Sequence, residues 1–355
     1  MAVLALVVAA VALDGGGAGQ RAVPASTIAP STVVASTVVP TTTVPATAPA
    51  TTATVRVPRT TAGVAPGPGP VLGEPSGWTV VAFDSVTLSL LDLDTGATTR
   101  FAYDGRFHSA ADSAIMLSDR FVYTDHGGAP TVWSQRYGDE APTLVQQDAT
   151  IITASSVRGR LWVALNQSGV NGELLVAEID SEGRRSSTLT IPNGLRVVGS
   201  SAVGLWLAGS GRIYSLSAVG TLQAIAVGSV VDASPAGALY DDCAIAGPCT
   251  LRLAGATAQS ARIGPSAEIR IATTNDSTDS VLSPDGRWLL LRDGLLDRRT
   301  GTQVGHSFVL RAWRWSPDGE WLFAWTANTG TIAWRLADTL QIRLGDISVS
   351  GVVAR

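Results

Sequence analysis

The chain has 355 residues, 25 basic and 29 acidic side chains, a formal net charge of −4 and 45% hydrophobic residues. Every basic residue is arginine, and the mild acidity excludes the basic stripe that a nucleic-acid partner calls for. From Trp78 onward the remaining ~280 residues are too many for one ordinary core, but suit a repeat fold whose units bury one another.

Residues 1–14 read as a signal peptide or a truncated membrane anchor. Positions 2–13 are wholly apolar, and a run of that length matches a signal core but falls short of the ~20 residues of a spanning helix. A basic leader is missing, so two readings stand: an export signal with an atypical start, or the tail of an anchor that begins upstream. No cysteine lies nearby, which excludes a lipoprotein anchor. Residues 15–76 are rich in Thr, Pro, Ala and Val, as in Pro66-Gly67-Pro68-Gly69-Pro70. Such a tract cannot bury a core, and it is expected to be a disordered, extended stalk whose threonine density permits O-glycosylation.

Residues 77–355 are predicted to be all-β, a seven-bladed β-propeller. Ser283-Pro284-Asp285-Gly286-Arg287-Trp288 and Ser316-Pro317-Asp318-Gly319-Glu320-Trp321 are one phrase used twice. Proline suits the first central position of a tight turn, aspartate bonds its own backbone, and glycine supplies the positive φ that leads into a strand. The strands that follow are apolar on both faces, which requires cover on both sides, and a ring of stacked small sheets provides it. A second turn marks each repeat, most clearly at Asp92-Leu93-Asp94-Thr95-Gly96, Asp180-Ser181-Glu182-Gly183 and Asp297-Arg298-Arg299-Thr300-Gly301, with weaker copies near Gly138, Gly220, Gly255 and Asp338. The spacing of roughly 37 to 44 residues gives seven units. Second strands are expected at 80–83, 121–124, 161–165, 205–208, 238–241, 288–291 and 321–325. The fifth has the lowest strand propensity, so the fifth blade is expected to be the irregular one. The first unit opens on its second strand and the chain ends on an orphan strand at 347–353, so the C-terminal strand should complete the first blade and close the ring.

The two cysteines, Cys243 and Cys249, flank a Gly-Pro turn and are expected to form a disulfide across a hairpin of the fifth blade. Metal binding would need further ligands nearby, and no metal or other cofactor is expected. His108, His126 and His306 fall in separate repeats without ligand spacing, and no serine lies in a nucleophile elbow, so no catalytic residue is assigned. Asp92 and Asp94 suggest a calcium loop, but the equivalent turn at Asp297 carries arginines, which fits turn formation instead. Of the ten tryptophans, Trp162, Trp206, Trp288 and Trp321 hold matching second-strand places and read as packing. Trp133, Trp313 and Trp334 stand outside that register and are the candidate ligand contacts.

The Ser-Pro-Asp-Gly phrases resemble the repeats of Tol-Pal-type and WD-repeat-like propellers. Gly159-Arg160-Leu161-Trp162-Val163-Ala164 and Gly204-Leu205-Trp206-Leu207-Ala208 are similar to the sensor propellers of two-component regulators. The stalk and the arginine-only basic set resemble an actinobacterial cell-surface propeller. These resemblances, spanning residues 78–345, imply fold more than function, because propellers serve as scaffolds, sensors and enzymes. The expected role is a non-enzymatic, extracytoplasmic scaffold, secreted or tethered by its N-terminal segment. It would bind an envelope protein, a peptide or a glycan, with no nucleic acid and no other membrane contact. The rival is an extracytoplasmic glycoside- or polysaccharide-active enzyme with acidic residues meeting at the central channel, for which a close carboxylate pair would be the mark.

Overall fold

The structure is a computed structural model that describes residues 59–60 and 69–355, apart from 84–86, 103–113, 140, 166–171, 244–246, 256–259, 273–278, 307–308 and 327–328. The apolar N-terminal segment and most of the stalk lie outside the described residues. Among the described residues no helix is long and apolar enough to cross a membrane.

Seven small antiparallel sheets follow one another as a seven-bladed β-propeller. The second blade is built from Ile115–Met116, Arg120–Asp125, Thr131–Arg136 and Thr143–Gln146, and the third from Ala149–Ala154, Arg160–Leu165, Leu174–Asp180 and Arg185–Ile191. Arg196–Ser201, Gly204–Gly209, Arg212–Ser217 and Leu222–Val227 form the fourth. Ser229–Ser234, Gly237–Cys243, Cys249–Ala254 and Ser260–Pro265 form the fifth. Leu310–Trp315, Trp321–Thr326, Gly330–Arg335 and Leu340–Gly345 form the last, with the pair Arg59–Thr60 laid parallel on its outer edge at Leu340 and Gln341. The first blade joins both ends of the ring. Val349–Ala354 is its innermost strand and pairs antiparallel with Trp78–Phe83, matching Val80 to Val352, and Thr87–Asp92 and Thr98–Ala102 complete it.

Packing explains why the second strands are apolar throughout. Trp321–Thr326 and Gly204–Gly209 bury both faces almost completely, because each sheet is covered by a neighbour on either side. Core residues accordingly form layers between successive blades. Val81, Leu88, Phe121 and Tyr123 fill the space between the first and second blades. Trp206, Ile213, Ala238 and Tyr240 fill that between the fourth and fifth. Trp78, Val80, Trp321, Phe323 and Val349 close the seam between the last and first.

The innermost strands carry a recurrent bulge. In the first, third, fourth, fifth and seventh blades the pairing with the second strand slips by one residue at Ser350, Ile152, Val198, Val231 and Arg311. A bulge sharpens local twist, which is what lets strands converge on the axis without their side chains colliding.

Two expectations require correction. The fifth blade is a complete four-stranded sheet, and the irregular one is the sixth. There Trp288–Leu291, Gly294–Asp297 and Thr302–Gly305 form three regular strands, while among the described residues the inner edge is paired only through the bridges Leu282 to Leu289 and Ile271 to Leu291. Low strand propensity in the fifth is overridden by burial of Ala238, Leu239 and Tyr240. The packed chain also begins before Trp78. Leu72 is buried in the seam between last and first blades, the Val71 amide donates to Leu93 O, and the Ser76 and Gly77 amides donate to Asp94 Oδ1. The surrounding Pro-Gly composition masks this short apolar anchor.

Candidate functional site

The two Ser-Pro-Asp-Gly turns have one hydrogen-bond plan. Ser283 Oγ donates to Asp285 Oδ1 and accepts from the Trp288 amide, while Asp285 Oδ1 also accepts from the Arg287 amide. Ser316, Asp318, Trp321 and Glu320 repeat each of these bonds. Gly286 and Gly319 take φ of +72° and +76°. These turns lie at one end of a central cavity of about 540 Å³ whose walls come from the innermost strands of every blade. A third copy of the phrase, Ser234-Pro235-Ala236-Gly237, lies at the same end and escapes a search that insists on aspartate. The shared Ser-Pro and closing glycine are the signal that finds it.

Most of the wall is small and neutral, as at Ala233, Ser200, Thr153 and Gly351. Asp279 and Arg314 are the only charged residues that line it among those described. Asp279 lies where the sixth blade has no regular inner strand among the described residues, Arg314 lies on the inner strand of the last blade, and neighbouring side chains hold the segment 279–282 in place. From the fifth blade, Asp232 Oδ2 accepts from Ser280 Oγ and from the amides of Val281 at 2.7 Å and Leu282 at 3.4 Å. From the last blade, the Trp315 indole donates to Ser280 O at 2.6 Å, the Trp313 indole to the same carbonyl at 3.2 Å, and the Trp315 amide to Asp279 Oδ2 at 2.9 Å. Arg314 itself donates through Nε to Ser350 O at 2.9 Å and through Nη1 to Trp313 O at 2.7 Å. Alternation on the strand explains the division of labour: Trp313 and Trp315 are buried in the blade interface, and Arg314 between them faces the cavity.

Electrostatics follows from enclosure. Burial raises the Asp279 carboxyl above its ordinary value, with Arg314 and the Trp315 amide pulling the other way and Asp232 adding to the rise. Burial also raises Asp232, against its hydrogen bonds from Ser280 and the backbone. Asp279 lines the cavity and Asp232 stands behind it, and each accepts protein donors that tie one blade to the next.

The tryptophans called as ligand contacts are not gathered at the cavity. Trp334 is fully buried and Trp313 is 3% exposed, both within the core layer around the sixth and last blades. Trp133 is partly buried against the cluster of Phe121 and Tyr123. The physical reason is that first and third strands also face neighbouring blades, so a tryptophan outside the second-strand register still packs. Trp162, Trp206, Trp288 and Trp321 are all buried.

Cys243 and Cys249 are directly paired across the hairpin of the fifth blade and joined by a disulfide, Cα to Cα 4.0 Å. His126 is exposed in the second blade, and His306 stands edge-on to Trp334 with ring centres 6.0 Å apart. His108 lies outside the described residues. No group of three or more potential metal ligands occurs among the described residues. Asp92 and Asp94 are occupied as turn and latch: Asp92 Oδ1 accepts the Asp94 amide, and Arg355 pairs with both carboxylates.

No protein-family model matches the chain, and no curated protein matches it. Solved structures similar to it include an oligogalacturonate lyase in complex with manganese, at 12% identity and TM-score 0.43 over 67% of this chain and 78% of that one. TolB from Acinetobacter baumannii is 9% identical with TM-score 0.38 over 78% and 65% of the two chains. An acylaminoacyl peptidase from Pyrococcus horikoshii is 10% identical with TM-score 0.47 over 76% and 51%. At this distance none of their chemistry carries over to this chain.

Proposed function

We propose that the protein is an extracytoplasmic, non-enzymatic binding propeller that offers its central cavity to an envelope protein, a peptide or a glycan. The observation that carries this reading is the use made of Asp232 and Asp279. Both carboxyls accept hydrogen bonds that hold the segment 279–282 in place, whereas the cavity beside them offers open volume lined by small residues. Concave sites with few placed polar groups suit ligand binding. The disulfide Cys243–Cys249 supports an oxidising compartment, and with the apolar segment at 2–13 it supports export.

One observation favours the rival. Asp232 and Asp279 interact electrostatically and both are raised by burial, and a pair of perturbed carboxyls beside a cavity is the arrangement from which glycoside cleavage starts. The test incubates the full chain with a panel of acidic and neutral oligosaccharides and short peptides, following binding by calorimetry and new reducing ends or amines by chemical assay. Binding with every ligand recovered intact supports the scaffold. Turnover that disappears in both D232N and D279N establishes the enzyme instead. Export is tested by maleimide labelling of intact cells, where Cys243 and Cys249 should react only after reduction.

A further inference from the structure

We infer that the cavity recognises its ligand through a carboxylate held by Arg314. This deepens the binding reading above and rests on it.

Arg314 is held by backbone carbonyls, as Arg158, Arg298 and Arg343 are, and of these arginines it is the one that lines the cavity. Arg184, Arg287, Arg335 and Arg355 each pair with an aspartate at a rim turn. Arg314 has no carboxylate within 4.0 Å among the described residues, although it is the one cation lining the cavity. Its guanidinium is fixed by carbonyls on two blades, Ser350 O at Nε and Trp313 O at Nη1. Two donors so anchored lock the plane of the group and leave the Nη2 edge for a ligand. Asp279 acts on Arg314 only from beyond ion-pair distance, and a bound anion adds charge-assisted hydrogen bonds in a planar fork that matches a carboxylate.

The surroundings select a carboxylate over a phosphate. Asp279 lines the cavity with Arg314, and Asp232 stands behind the same segment. These are the charged groups facing the site among the described residues, and a dianion would meet the repulsion of both with one cation to offset it. A monoanion fits better, because it meets less of that repulsion. The Trp315 amide occupies Asp279 Oδ2 and fixes that side chain beside the site. Ser155, Ser200 and Ser350 supply neutral wall. The carboxylate could end a peptide or belong to an acidic sugar; both present the same group to Arg314.

The experiment uses the full chain labelled with ¹⁵N-tryptophan, because the Trp315 amide and indole both touch the segment that carries Asp279. Acetyl-Ala-Ala is titrated against its C-terminal amide, glucuronate against glucose, and acetate against inorganic phosphate. One or both acids should shift the Trp315 resonances, at least tenfold more tightly than the neutral partner, and acetate should act where phosphate does not. The peptide and sugar arms identify the source. R314Q should abolish the preference for acid, and R314K should keep part of it. Binding should weaken as pH rises through the Asp279 titration, and D279N should flatten that dependence. Equal binding of acid and neutral forms overturns the inference while leaving the binding reading intact, and so does an undiminished preference in R314Q, or in R314K where R314Q does not fold. Failure of every acid probe to move Trp315 overturns it as well. Cleavage of a probe sinks the binding reading instead.

Discussion

A Cβ placed on Gly319 would stand 2.9 Å from Oδ1 of Asp285, the oxygen that organises the equivalent turn one blade earlier. Gly286 in turn packs against Ala236 of the third, cryptic copy, where a Cβ would approach the alanine methyl to 2.7 Å. The repeated turns therefore touch in sequence beside the cavity, with Gly319 and Gly286 each fitting against the turn before it.

Gly319→Ala and Gly286→Ala should each destabilise the ring by ~1–3 kcal/mol, since both combine a positive φ with a close neighbour. Gly286→Ala is eased by pairing with Ala236→Gly, because that removes the methyl it meets. Urea unfolding of the single and double variants checks this, and identical single and double midpoints would refute the contact.

Closure depends on Val349–Ala354. Removing residues 349–355 strips the inner strand from the first blade, exposes Val80 and Val81, and deletes the Arg355 pairs to Asp92 and Asp94. The truncated chain should lose its cooperative transition altogether. Arg355→Ala should cost only ~0.2–1 kcal/mol, because those pairs are exposed. A truncated chain that melts as sharply as the full one contradicts the latch.

The legible parts of this fold are those with local physics. Ser-Pro-Asp-Gly is readable because its hydrogen bonds join residues within five positions of each other. Strands such as Leu205, Trp206 and Leu207 are readable because cover on both faces leaves an unbroken apolar run. The sixth blade was not legible: segment 279–282 is held by Asp232, Trp313 and Trp315, which lie some 30 to 50 positions away. Propensity pointed to the fifth blade, which tertiary burial completes. The burial of Trp313 and Trp334 is hidden from the sequence for a related reason, since packing on first and third strands leaves no mark in a second-strand register. Arg314 was readable in principle, as a cation between two indoles in a strand.

Reduction of Cys243–Cys249, or replacement of both by serine, should lower stability by ~2 kcal/mol, the figure for so short a closed loop. The transition should remain cooperative, because the fifth blade keeps its four strands. Denaturant unfolding with and without reductant measures the difference, and unchanged midpoints would remove any stabilising role for the bond.

Asp279 sets a pH dependence of definite sign. Burial raises its carboxyl above 3.8 despite Arg314, so the folded chain binds that proton more tightly than the unfolded chain does. Stability from this group is full below about pH 4 and is lost as pH rises through the raised folded value. Asp279→Asn keeps an acceptor for the Trp315 amide and should gain on the wild type as pH rises above about 4. A variant that instead falls further behind with rising pH contradicts the assignment.

On the function proposed above, the cavity holds its ligand and does not transform it. That function is tested most directly by following Trp315 in the full chain while acetyl-Ala-Ala and glucuronate are titrated, and then recovering both by mass spectrometry. The expected result is a saturable shift of the Trp315 resonances with ligand of unchanged mass. Cleaved ligand, or saturation that leaves Trp315 unmoved, would contradict it.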